Sequence, residues 1–150
     1  ENDRSLELKM SSLRFYNSLH NCPTNGGLMT FARRPSEHFL MAYIQFLKFP
    51  GTEIDQVEYA REFREPLIYL FKLVSEFIQY NVVKQRPVPV DGWQERMQSN
   101  YPLWPIRELL VNAIIHRDYQ SKAPIYFREF SDRIEITNPG KELLSKSSTR

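Results

Sequence analysis

Leu67, Leu70, Phe71, Val74, Phe77 and Ile78 recur at three- and four-residue steps, and Pro66 stands just ahead of them. Proline suits the first position of a helix, because the N–H it lacks would have no intrahelical partner there. The spacing predicts a helix from Pro66 to about Val83 with one apolar stripe. Such a stripe must be buried against another layer of structure. What the rest of the chain supplies as that layer decides the fold.

Four segments qualify as strands. Residues 39–49 hold Tyr43, Ile44, Phe46, Leu47 and Phe49, the aromatic and β-branched mixture that suits a pleated surface. Residues 57–63 alternate loosely and read as an edge strand. Residues 125–130 and 133–137 are separated by Ser131-Asp132, a tight-turn pair, and the second is closed by Asn138-Pro139-Gly140. Ahead of these two strands a second helix is expected from about Pro105 to His116–Asp118, with Ile106, Leu109, Leu110, Ala113 and Ile114 on its apolar face. Residues 3–20 also read as helix, from Leu6, Met10, Leu13, Tyr16 and Leu19. Asn21 to Gly27 is dense in turn formers and is expected to end that helix and lead into a short strand over 28–32. Pro87 and Pro89 make 84–91 an edge strand or linker, and 92–104 reads as irregular or weakly helical. Trp93 and Trp104 flank this junction and are expected to pack there. The fold class is α+β (mixed α/β), with helices on a mixed, largely antiparallel sheet.

Composition narrows the function classes. In 150 residues, 41% are hydrophobic and 25% charged, ordinary globular usage. No apolar run approaches the ~18–20 residues that span a bilayer, so no membrane partner is expected. A lone cysteine, Cys22, excludes an internal disulfide and a thiolate metal site, and fits a reducing, cytoplasmic setting. The formal net charge of +2 does not by itself argue for nucleic acid. The pair Arg33-Arg34 is the one local candidate for phosphate contacts with DNA; an exposed arginine pair is also an ordinary solvated surface. His20 and His38 have no evident partner and read as surface residues.

The chemistry concentrates further on. Glu108, Asn112 and His116 are spaced by four and share one face of the second helix, away from Leu110 and Ile114. A carboxylate and an amide oxygen so placed can hold a hard cation such as Mg²⁺, which completes its shell with water and nucleotide phosphates. A carboxylate there can also orient an attacking water. The same spacing is equally that of a solvated helix face, and His116-Arg117 also suits the negative end of a helix dipole.

Residues 102–140, PLWPIRELLVNAIIHRDYQSKAPIYFREFSDRIEITNPG, closely resemble the C-terminal module of a bacterial and archaeal family labelled as transcriptional regulators or RecG-helicase-related proteins. Its signature is RE-x-x-x-NA-x-x-HRDY followed by DRIEI-x-NPG, and both halves are present. That module is similar to the Bergerat-type ATP-binding fold of gyrase, histidine kinases and MutL. Upstream, CPTNGGLMTFARRP resembles the segment ending the family's AlbA/Schlafen-type domain, suspected of binding DNA. The resemblance implies residues 1–63 as the C-terminal part of that domain. Residues 64–150 would be a helical linker and the first part of the ATPase-like lobe. It implies Glu108 as general base, Asn112 as ligand of the Mg²⁺ on ATP phosphates, and His116 near the nucleotide. Asn138 would stand where Bergerat ATPases carry the aspartate that reads the adenine amino group, and Gly140 at the first motif glycine.

The chain departs from the pattern in places. Asparagine at 138 accepts with less charge assistance than aspartate. Lys141 stands where many members have a second glycine. The lid and later glycine-rich segments would follow Arg150, so the chain reads as an excised middle that does not hydrolyse ATP alone. Helicase chemistry is excluded for this segment, which lacks a P-loop and a Walker-type acidic box. The implied function is a DNA-binding transcriptional regulator with a nucleotide-binding module. The alternative is a degenerate interaction or dimerisation scaffold of the same fold, and a homo-oligomer is a candidate partner state for either form.

Overall fold

The computed structural model describes residues 5–140. The chain opens with α1 (Leu6–Ser12), whose N-cap Ser5 accepts a hydrogen bond from Leu8 N–H. A helix to residue 20 was expected, but this one stops after seven residues. Arg14 adopts φ 60°, and Phe15 N–H and Arg14 N–H return to the carbonyls of Met10 and Ser11, the paired bonds of a Schellman ending. Two short strands, β1 (Tyr16–Asn17) and β2 (Cys22–Pro23), then pair antiparallel.

The expected strand over 28–32 is instead part of a helix, α2 (Asn25–Phe31). Thr24 is its N-cap and accepts from Gly27 N–H at 3.1 Å. The turn-forming Asn25-Gly26-Gly27 is therefore the first turn of the helix. Gly27 is required there for space: a Cβ would lie 2.0 Å from the Phe15 carbonyl oxygen.

The central sheet contains β3 (Ile44–Lys48), β4 (Tyr59–Phe63), β7 (Ile125–Glu129) and β8 (Ile134–Thr137), in the order β4-β3-β7-β8. β3 and β7 are parallel, with Ile44 opposite Ile125, Phe46 opposite Phe127 and Lys48 opposite Glu129. The other two pairings are antiparallel, so the sheet is mixed and largely antiparallel, as its sequence suggests. The expected division at 63/64 falls inside this sheet: strands from both sides of it pair in the middle and share one core.

That core lies between the sheet and two helices, α3 (Leu67–Phe77) and α4 (Leu103–Ile115). α3 runs on through a wide turn to Val82, and its stripe Leu70, Val74, Phe77 and Ile78 is buried. Phe77 meets Phe46 edge-on at 4.8 Å and Phe63 at 5.2 Å, and Phe46 meets Phe127 at 5.0 Å. These tilted aromatic contacts add about 0.5–1.5 kcal/mol each beyond the area they bury. α4 begins two residues before Pro105, which sits harmlessly in the first turn, where N–H groups lack intrahelical partners.

The remaining hairpin, β5 (Gln85–Asp91) and β6 (Gln94–Ser99), pairs only with itself and is exposed almost throughout. Residues 92–104 were expected to be irregular or weakly helical; α4 begins at Leu103, and β6 occupies Gln94 to Ser99. Asp91-Gly92, with Gly92 at φ 47°, is the turn signal that marks it. Trp93 and Trp104 do not pack at the junction: both are exposed. Among the described residues no helix is long and apolar enough to cross a membrane.

Candidate functional site

α4 turns Ile106, Leu110, Ala113 and Ile114 inward. The four-residue steps from Glu108 to Asn112 to His116 therefore leave all three side chains exposed on the outer side. His116 ends the helix, its N–H bonded to the Asn112 carbonyl at 2.9 Å. The chain then folds back on the exit of β8. Asp118 N–H donates to the Pro139 carbonyl at 3.1 Å, and Gly140 N–H to the Asn138 carbonyl at 2.9 Å. A Cβ on Gly140 would stand 3.5 Å from the His116 carbonyl oxygen and 3.7 Å from Asn138 Nδ2. The two halves of the sequence motif thus meet: His116, Asn138 and Gly140 form one cluster, with Asn112 and Glu108 one and two turns back along the helix.

Asn138 is the unusual member of this cluster. Its Oδ1 is buried and has no hydrogen-bond partner among the described residues. A buried acceptor without a donor costs about 1–3 kcal/mol. Ligand N–H would relieve that cost. Carboxylate and amide oxygens of Glu108 and Asn112 stand open to solvent, as a cation carried in by phosphates would require. Among the described residues no group of three or more His, Cys, Asp or Glu gathers to hold a metal, so any such cation would depend on oxygens of its ligand.

The other residues of the His116-Arg117-Asp118-Tyr119 run build the site rather than face it. Arg117 is buried, 7% exposed. Its Nη2 donates to the Ala123 carbonyl at 2.7 Å and its Nη1 to the Tyr43 carbonyl at 3.4 Å. This ties the end of α4 to the chain entering β3 and β7. Burial lowers the Arg117 pKa, with Tyr119, Tyr43 and Asp118 opposing the shift. Tyr119 donates its hydroxyl to the Ile114 carbonyl at 2.9 Å, covering one of the last helical acceptors, and burial raises its pKa. Sequence reasoning assigned Arg117 to the helix dipole. Its real role depends on Tyr43, 74 residues away in the chain, and on Ala123, six residues on in the loop before β7.

Arg33 and Arg34 follow α2 and are exposed; Arg34 pairs with Glu37 at 3.3 Å. They are not part of the α4 cluster. A separate apolar groove of about 280 Å³ runs between α3 and α4, lined by Leu70, Val74, Ile78, Leu110, Val111 and Ile114, and holds none of the expected site residues.

No protein-family model matches the chain, and no curated protein sequence does. Among solved structures it is similar to the crystal structure of the DIP2311 protein from Corynebacterium diphtheriae, with a TM-score of 0.69 at 19% identity over 92% of this chain. The chain spans 27% of the length of that protein. At this identity the likeness is one of fold.

Proposed function

We propose that the chain is a nucleotide-binding module of a cytoplasmic, DNA-binding regulator, taking ATP with Mg²⁺ on the outer face of α4. The supporting observation is the buried Oδ1 of Asn138, without a partner among the described residues, beside Gly140 and the end of α4. An adenine amino group supplies the N–H that this oxygen lacks. Asn112 and, one turn further, Glu108 then face the phosphate end, where Asn112 would ligate the cation and Glu108 would orient water. Binding rather than turnover is expected of this chain, with ATP biasing conformation or assembly. DNA contacts would involve the exposed Arg33 and Arg34 only in part.

Calorimetry with ATP·Mg²⁺ tests this reading. Binding is expected, and Asn138→Leu and Asn112→Ala should each weaken it by about tenfold or more. Absence of heat with the folded parent chain would remove the nucleotide site.

A second reading is favoured by α4 itself, which leaves Trp104, Leu109 and Ile115 at 69%, 55% and 63% exposure. An interaction or dimerisation scaffold would use that apolar surface and bind no nucleotide. It predicts that Leu109→Lys disrupts self-association in sedimentation, while ATP·Mg²⁺ has no effect on it.

A further inference from the structure

At the carboxyl ends of the parallel strands β3 and β7, opposite the α4–β8 junction, a cleft of about 390 Å³ opens. It lies where the aliphatic layer of the sheet ends. Ile44, Phe46 and Lys48 alternate along β3 as Ile125, Phe127 and Glu129 do along β7, so the last inward position of each strand is charged. Phe49 and Phe130 stack at 5.0 Å beneath the cleft, both 2% exposed, with the Arg133 guanidinium 4.1 Å from the Phe130 ring. The opposite rim is fixed by Asn100. Its Oδ1 accepts from Lys84 N–H at 2.7 Å and Tyr101 N–H at 2.9 Å, and its Nδ2 donates to the Val82 carbonyl at 3.1 Å.

Most charges around the cleft are already paired. Lys48 reaches Glu58 at 3.6 Å, and Asp132 reaches Arg133 at 3.0 Å. Two are not. Lys84 takes part in none of the ion pairs among the described residues. Glu129 is 7% exposed, lines the cleft, and has its Oε2 buried without a partner. Burial pushes its pKa up, with Lys48 and Lys84 pulling it down and Glu58 adding to the rise. The cleft thus offers one unmet anion and one unmet cation, polar groups of the kind that orient a ligand in small-molecule sites.

We propose that this cleft binds a small zwitterion of the α-amino-acid type. The ligand ammonium donates to the Glu129 carboxylate and its carboxylate accepts from Lys84 Nζ. Glu129 stays buried at little net cost because the ligand brings the missing charge and donors. The cleft shares no residue with the α4 cluster, so amino-acid binding and ATP binding are read separately.

Saturation-transfer NMR and calorimetry on the chain with L-leucine and L-phenylalanine test the proposal, with phenethylamine and 3-phenylpropionate as half-ligands. At least one amino acid should bind, and both half-ligands should bind more weakly. Glu129→Gln should weaken binding by about tenfold or more, and the exposed-site variant Lys84→Ala by about fivefold or more. No binding of either amino acid up to about 10 mM would overturn the proposal. So would unchanged affinity in Lys84→Ala, or a half-ligand binding as tightly as its amino acid.

Discussion

The central sheet carries a buried charge at each end, and the two are accommodated in opposite ways. At the end where β3 and β7 begin, the Arg117 guanidinium donates to the carbonyls of Ala123 and Tyr43, while its buried Nε has no partner among the described residues. At the end where they finish, the buried Oε2 of the Glu129 carboxyl accepts from nothing among the described residues. Guanidinium keeps its charge throughout the accessible pH range and spreads it over five donors, so two carbonyls can hold it even with one donor unmet. A carboxylate brings no donors when ionised, and its burial instead raises its pKa. One charge is therefore held by two of the chain's own carbonyls. The other has no side-chain hydrogen bond of that kind among the described residues.

Removing Arg117 gives the largest expected effect. Arg117→Ala leaves the Ala123 carbonyl without its donor and empties a buried volume, and should lose about 2–4 kcal/mol in urea unfolding. Glu129→Gln should behave differently and stay within about 1 kcal/mol of the parent, on the stabilising side at neutral pH. A loss as large as that of Arg117→Ala would erase the contrast between the two ends. The double variant sharpens it: the sites lie at opposite ends of β7, so the two effects should add to within about 0.5 kcal/mol.

The pH dependence separates the ends as well. Glu129 has a raised pKa in the folded state, so the folded chain holds a proton that the unfolded chain releases more readily. Its contribution to stability is full below the unfolded carboxyl value and is lost as pH rises through the folded value. Unfolding midpoints should therefore fall across that window in the parent, and Glu129→Gln should flatten this part of the slope. Arg117 keeps its charge and adds no slope near neutrality. The smallest effect belongs to the isolated hairpin. Trp93→Ala, at a fully exposed tip, should shift stability by no more than about 0.5 kcal/mol.

How much the sequence revealed follows the same line between local and distant causes. α3, β3, β7 and β8 were legible because each buries one face, and burial writes a period into the residues. β6 was not, because Gln94 to Ser99 is exposed at every position and has no alternation to read. α2 was misread because Asn25-Gly26-Gly27 looks like a turn. The need for glycine at 27 comes from Phe15, brought beside it by the preceding turn. In the site, the spacing of Glu108, Asn112 and His116 was enough to put them on one exposed face. The meeting of His116 with Gly140 depends on β8 ending beside α4, and the anchoring by Arg117 and the burial of Glu129 on the parallel pairing of β3 with β7. A sequence with β4, α3, β5, β6 and α4 between those strands does not display that pairing.

Chemical-shift mapping of the ¹⁵N-labelled chain with ATP·Mg²⁺ tests the central assignment most directly. Shifts are predicted in the amides of Asn112 to Tyr119 and of Asn138 and Gly140, with Lys84, Tyr101 and Glu129 unmoved. No shifts at saturating ATP·Mg²⁺, or shifts confined to the Glu129 end, would contradict it.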